Sequence, residues 1–362
     1  MQFRIDKLQK ALYNSVTLER GPYNFIITCA AARRQNGAKM KSTVKRILSV
    51  MLVLAFGVFC IAGCETKKDD TYVVGICQLA QHEALDKATE GFMAALKDKL
   101  GDKVTFDLQN ASGEATNCTT ICSKFVSDKV DLIMANATGA LSAAAQATDT
   151  IPIVATSITD YATALDIKNW NGTTGFNVTG TSDLAPLDQQ AQIIKELVPN
   201  AKKVGILYCS SEPNSKYQST VIQEKLKALG FECKEFTFVD TNDVTAVTQQ
   251  AAAECDVIFA PTDNTVASNA PAINNVLEPA KIPLIAGEQG ICEKCGIATL
   301  SISYYDIGYK AGEMAYEILV NGADPAKTEI SYAKDLTKKY MADRCRELGI
   351  TVPDGYEAIQ TN

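Results

Sequence analysis

From Tyr72 onward the chain alternates short runs of β-branched and apolar residues with amphipathic stretches of helical period, and it does so twice. Strand-like runs fall at 72–76, 104–108, 131–135, 151–155, 203–208, 232–239, 256–260, 282–286 and 297–302. Between them lie helix-patterned stretches, among them 85–100, 114–128, 183–197, 217–229, 244–253, 265–278 and 306–319. Gly101 and Gly230 stand just past the last apolar positions, where a glycine closes a helix. Strict alternation of this kind gives parallel sheets covered by helices on both faces. The second series opens at Lys203-Val204-Gly205-Ile206 with the logic of Tyr72–Gly75, after an irregular stretch at 170–181. The expected fold class is α/β, with two doubly wound lobes. A ligand in such a pair sits at the carboxyl ends of the strands, in the crevice between lobes.

The length of 362 residues agrees with about two domains. Hydrophobic content is 46% and charged content 21%, values of a globular chain. His82 is the sole histidine, so metal sites built on several histidines are excluded, and any Ser-His or Cys-His mechanism would have to run through it. The charge is uneven. Residues 1–63 hold ten Lys and Arg against Asp6 and Glu19, which leaves 25 basic and 40 acidic residues from Cys64 onward. An acidic body without a basic stripe repels phosphate backbones, so no nucleic-acid partner is expected.

The basic head reads as an export signal. From Met40, Lys41, Lys45 and Arg46 precede an apolar run at 47–59, too short to span a bilayer but of the proportions of a secretory signal. The run ends in Ile61-Ala62-Gly63-Cys64, which resembles a bacterial lipobox, followed at once by polar Glu65–Asp70. That resemblance implies cleavage before Cys64 and lipid attachment to its thiol. Residues 40–63 are thus expected to be a lipoprotein signal peptide and 64–71 a lipidated tether. Residues 1–39 are expected to be a non-native extension ahead of the true start. Nine further cysteines remain beyond Cys64, an odd number, and their expected role is structural. Cys292-Glu293-Lys294-Cys295 lacks the second pair that a zinc site needs, and no metal is expected.

No GxxxxGK[ST], GxGxxG or GxSxG motif is present, so phosphate-loop, dinucleotide and hydrolase-elbow chemistry are all disfavoured. His82 follows the first strand without an identifiable nucleophile, which favours a rim or helix-entry position over catalysis. The strand ends carry uncharged or acidic hydrogen-bonding groups instead. Small hydroxyls and free N–H groups at helix starts suit a carboxylate, and Asp or Glu opposite them suits an ammonium. Together they fit an amino-acid zwitterion better than a sugar. The residues expected to line the cleft are Gln78, Thr138, Thr156, Asp160, Asp183, Glu212, Asp263 and Asn264. Gln78, Thr138 and Thr156 would face the carboxylate, and Asp263 the ammonium. Each residue competes with an ordinary helix-cap role, since Ser, Thr, Asp and Asn are the preferred caps.

Several segments carry a family resemblance. Gly75-Ile76-Cys77-Gln78 with Gln81-His82-Glu83-Ala84-Leu85-Asp86, Asp131–Thr138, Ile151–Val154 and Asn177–Leu184 are part of it. Pro261-Thr262-Asp263-Asn264-Thr265-Val266-Ala267-Ser268, Gly296–Leu300 and Tyr304–Gly308 complete it. Over 72–352 the chain resembles the substrate-binding proteins of ABC transporters of the tryptophan/tyrosine (TrpX-like) type. The resemblance implies a type I periplasmic-binding fold: two Rossmann-like lobes, three crossings and hinge closure on a ligand. Lobe one is expected at 71–180 plus 303–327, and lobe two at 181–302 plus 328–362. It implies a lipid-anchored, monomeric receptor on the extracytoplasmic face of the cell membrane. That receptor would capture an amino-acid-like ligand, aromatic amino acids being among those the family takes, for an ABC permease and ATPase, with no cofactor and no catalytic residue. A ligand-presenting sensory receptor, or less readily an exported enzyme, is the alternative on the same fold.

Overall fold

The computed structural model describes residues 71–360. The expected signal peptide (40–63), the expected lipid-bearing Cys64 and the expected non-native extension (1–39) lie outside them. Among the described residues no helix is long and apolar enough to cross a membrane.

Two sheets divide the chain. The first contains β1 (Tyr72–Gln78), β2 (Val104–Asn110), β3 (Leu132–Asn136), β4 (Ile153–Ile158), β5 (Val178–Ser182) and β11 (Ser331–Tyr332), in the order 11-5-4-3-1-2. The second contains β6 (Lys203–Cys209), β7 (Glu232–Phe238), β8 (Val257–Ala260), β9 (Leu284–Ala286), β10 (Ala298–Ser301), β12 (Thr337–Tyr340) and β13 (Glu357–Ala358), in the order 13-12-10-9-8-6-7. Every pairing is parallel except β10 with β12. The helices of the first half are α1 (Glu83–Leu100), α2 (Ala115–Asp128), α3 (Thr138–Ala147) and α4 (Tyr161–Ala164). Then come α5 (Leu187–Leu197), α6 (Pro213–Ala228), α7 (Val244–Glu254), α8 (Asn264–Ala280) and α9 (Gln289–Cys295), followed by α10 (Tyr304–Asn321) and α11 (Ala342–Glu347).

The two-residue period of the strands explains the layering. In the first sheet, Val74, Ile76, Leu132, Met134 and Val154 face one core with Phe92, Leu96, Ala311 and Met314. Their neighbours Cys77, Ile133, Ala135, Ile153 and Ala155 face the other core, with Cys118, Cys122, Phe125 and Leu141. The second sheet repeats this with Val204, Ile206 and Phe259 on one side and Leu207, Ile258 and Ala260 on the other. Central strands buried on both faces read as unbroken apolar runs, and for that reason they stand out in the sequence. Gly101 and Gly230 adopt φ of 58° and 91°, as helix-closing glycines do.

The chain passes between the sheets three times: after β5, after β10 and between β11 and β12. After the second passage α10 returns to the first sheet and packs along α1. Its small residues make this possible, because a Cβ at Gly308 would lie 2.0 Å from the Ala88 carbonyl oxygen. A Cβ at Gly91 would lie 2.1 Å from the Tyr305 carbonyl oxygen.

Two expectations need correction. The stretch at 170–181 is not wholly irregular, since β5 begins at Val178 and keeps Thr181 and Ser182 in the first sheet. The segment at 328–362 is not wholly in lobe two, because Ser331–Tyr332 pairs with Thr181 and Ser182 as a strand of the first sheet. Both strands are short and hydroxyl residues predominate in them (Thr179, Thr181 and Ser182 in β5; Ser331 and Tyr332 in β11), so they lack the apolar signal of the central strands.

Candidate functional site

A cavity lies between the lobes where the strands of both sheets end. His82, Thr138, Ser157, Thr159 and Asp183 from the first lobe and its crossing line it. Asn214, Thr262, Asp263, Asn264 and Glu288 of the second lobe and Tyr304 of the second crossing complete its polar wall. Its volume is about 10 Å³, room for roughly one water. The lobes meet across it: His82 Nε2 and Asn264 Oδ1 are 3.1 Å apart, and Gln218 Nε2 donates to Thr159 Oγ1 at 3.4 Å.

Local chain chemistry positions the acids. Asp263 precedes α8 and accepts from Val266 N–H, Cys209 N–H and Ser215 Oγ–H, each at 2.7 Å. Glu288 precedes α9 and accepts from Gly290 N–H at 2.6 Å and Ile291 N–H at 2.5 Å. Asp183 sits on the first crossing and accepts from the hydroxyls of Tyr304 at 2.8 Å and Thr159 at 3.3 Å. All three carboxyls are buried, and burial disfavours their charge. It pushes Asp183 up to about 6 and Glu288 up to about 7. Burial, with the negative Glu212 nearby, pushes Asp263 up to about 8. Burial lowers the His82 pKa. Among the described residues, no Lys or Arg lines the cavity. Three buried acids without a fixed cation leave room for a positive group from outside the protein.

The opposite wall has anion-binding character. The first turn of α3 receives no side-chain cap, and Thr138 at its start faces the cavity. Beside it Ser157 is buried with φ of 58°, and its Oγ meets no hydrogen-bond partner. A non-glycine residue in left-handed backbone with an orphan buried hydroxyl is a costly feature, concentrated at functional sites.

Of the eight residues expected here, the cavity gathers Thr138, Asp183, Asp263 and Asn264. The other four point elsewhere. Gln78 is turned under α1, donating to Ala80 O and Asp86 Oδ1 and accepting from Thr89 Oγ1. Thr156 accepts from Thr181 Oγ1 at 2.9 Å inside the first lobe. Asp160 caps α4 through Thr163 N–H. Glu212 is consumed by the start of α8, accepting from the backbone N–H groups of Asn264 and Thr265 and from their side chains. Position at a strand end is visible in sequence, but side-chain direction is not. Tyr304 and the strand-end residues Ser157, Thr159, Asn214, Thr262 and Glu288 also line the cavity, though they are not among the eight. Tyr304 arrives from the second crossing rather than from a strand end, and strained backbone at a serine has no sequence signature. Among the described residues no three His, Cys, Asp or Glu side chains are arranged to hold a metal ion, and all nine cysteines are free thiols.

The comparisons agree with this architecture. The family described as ABC transporter substrate binding protein matches residues 73–359. A tyrosine-binding protein of Clostridioides difficile is 38% identical over 291 residues, covering 76% of this chain and 84% of that one. A Streptococcus pneumoniae ABC domain in complex with L-Trp superposes with a TM-score of 0.76 at 31% identity, over 80% of this chain and all of that one. The ligand-free, open structure of a Clostridium difficile substrate binding protein with adhesive properties is 35% identical. Its TM-score is only 0.62, over 81% of this chain and 100% of that one. In this chain the lobes touch across the cavity through His82 with Asn264 and Gln218 with Thr159. Matched over nearly all its described residues, and built on two lobes with three crossings, this chain belongs to the ABC transporter substrate-binding proteins of the type I periplasmic-binding fold.

Proposed function

We propose that this protein captures an aromatic amino acid between its lobes and delivers it to an ABC permease, performing no covalent chemistry. The observation that carries the reading is the charge pattern of the cavity: buried acids without a basic partner on one side, and an uncapped helix start with an orphan serine hydroxyl on the other. An α-ammonium completes the first, and an α-carboxylate the second. The relatives named for tyrosine and solved with L-Trp support an aromatic side chain on that backbone. Opening of the lobes from the arrangement seen here, which leaves room for about one water, admits the ligand, and reclosure around it holds it through higher affinity.

The leader with Cys64 supports export and lipid anchoring on the outer face of the cell membrane, where each buried methylene contributes about 0.8 kcal/mol. The ligand reading is tested by melting the purified protein with each of the twenty amino acids. A ligand at 100 times its Kd stabilises by about 2.7 kcal/mol. Stabilisation by L-Tyr, L-Trp or L-Phe is the expected result. Silence toward all twenty, with stabilisation by a sugar or nucleoside, overturns it. The anchor is tested separately by fatty-acid labelling in cells, which should mark the natural protein and not Cys64→Ala.

A further inference from the structure

One helix that carries a wall of the cavity is too short to hold itself in place. α9 spans seven residues, about 10 Å at 1.5 Å per residue, and Glu288 stands immediately before it. The last carbonyls of a helix have no partner within it, and a helix of two turns is unstable alone in water. Here one side chain meets those carbonyls. Arg344 of α11 donates from Nη1 to the carbonyl oxygens of Cys292, Glu293 and Gly296 at 2.9, 2.9 and 3.0 Å, and from Nη2 to Lys294 O at 2.7 Å. A planar, charged fork suits the negative end of a helix, where a lysine would offer a single point of charge. The other end of α9 is tied to the same stretch of chain. Lys339 Nζ of β12 donates to Gln289 Oε1 at 2.8 Å, as does Ser301 Oγ at 2.9 Å. That stretch is itself anchored, because Met341 N–H donates to Ile297 O at 2.9 Å and Cys345 is buried in the core of the second lobe.

We infer that Arg344 is a positioning residue for ligand binding, which fixes α9 and, through it, the carboxyl of Glu288 in the cavity. The inference rests on the amino-acid reading above. The Glu288 carboxyl accepts from Gly290 and Ile291 N–H, so a shift or fraying of α9 moves the carboxyl with it. Arg344 lines no part of the cavity, and its influence passes along the helix rather than by contact with a ligand. A binding group has to be held within about 0.5 Å of its working position. A two-turn helix meets that tolerance when both of its ends are tied.

The test is a double-mutant cycle in affinity for L-Tyr and L-Trp, read by calorimetric titration of the full protein. Arg344→Ala should weaken binding by about tenfold or more, the scale of losing a supporting partner behind a binding group. Arg344→Lys keeps the charge without the fork and should recover part of that loss. In a Glu288→Gln background, where the carboxylate is already gone, Arg344→Ala should change affinity by less than about twofold. Distant residues that share no partner act additively, so this coupling is a result that general destabilisation does not produce. Equal weakening in both backgrounds, or none in either, overturns the inference while leaving the amino-acid reading intact. An affinity untouched by Glu288→Gln does the same. If Arg344→Ala does not fold, Arg344→Lys takes its place in the cycle, with the same two outcomes. Failure of the unaltered protein to bind any amino acid overturns both readings.

Discussion

The acids around the cleft differ in what they hold. Asp263, Glu288 and Glu212 each accept backbone N–H groups at the start of a helix, whereas Asp183 is held from other residues by two hydroxyls, those of Tyr304 and Thr159. Replacing Asp263 by Ala strands three buried donors and removes a cap, so the ligand-free protein should lose about 1–3 kcal/mol in denaturant titration. Asp183→Asn strands no backbone group. It removes a buried charge, so the ligand-free melting temperature should rise at pH 8 and stay level at pH 4. Its affinity for an aromatic amino acid should fall by about thirtyfold to several thousandfold, because a desolvated charged hydrogen bond is lost, at about 2–5 kcal/mol. An affinity equal to that of the unaltered protein would remove Asp183 from the ammonium site. This contrast also explains how much of the site was legible. Polar residues after strands were found by position, and Thr138, Asp183, Asp263 and Asn264 do meet in one cavity. Gln78, Thr156, Asp160 and Glu212 satisfy themselves on nearby donors or acceptors, a choice made by side-chain direction that spacing does not encode.

At the scale of elements, the pairing of α1 with α10 ties the two ends of the first lobe together. Gly308 abuts the Ala88 backbone, and a Cβ at Gly312 would lie 2.5 Å from the Phe92 carbonyl oxygen, so backbone meets backbone along this seam. Gly308→Ala therefore forces the helices apart. Overpacking of this kind costs about 1–3 kcal/mol, a loss of several degrees in melting temperature at about 2–4 °C per kcal/mol. Gly101→Ala makes the useful control, since nothing lies within 4 Å and only its φ of 58° is strained. A smaller loss at Gly308 than at Gly101 would show that the seam relaxes. The alternation of central strands and amphipathic helices was readable because burial on both faces demands continuous apolar runs. β5, with Thr181 and Ser182, and β11, with Ser331 and Tyr332, were not readable. Their place in the sheet is earned by backbone pairing across the crossings rather than by their side chains.

For the whole molecule, contact between the lobes gathers several buried carboxyls around one small cavity, and this couples binding to pH. Asp183, Glu288 and Asp263 have folded values of about 6, 7 and 8, against ordinary values of 3.8, 4.5 and 3.8. Raised values mean that their contribution to stability is complete below about pH 4 and is lost as pH climbs through 6, 7 and 8. His82 works in the opposite sense, because a lowered value is unfavourable to the fold only where the unfolded histidine is protonated, below about pH 6.5. The interval from pH 7 to 9 therefore isolates Glu288 and Asp263, and the ligand-free melting temperature should fall across it. A bound ammonium reverses the balance by favouring the charged carboxylates, so proton release should accompany binding near pH 7. Titrating an aromatic amino acid in phosphate and again in Tris measures this directly, since released protons add each buffer's own ionisation heat. The expected outcome is a more exothermic signal in Tris, with affinity rising from pH 5.5 to 8. Equal heats in both buffers would mean that the ammonium does not reach the acids, and the charge pattern of the cavity would need another partner.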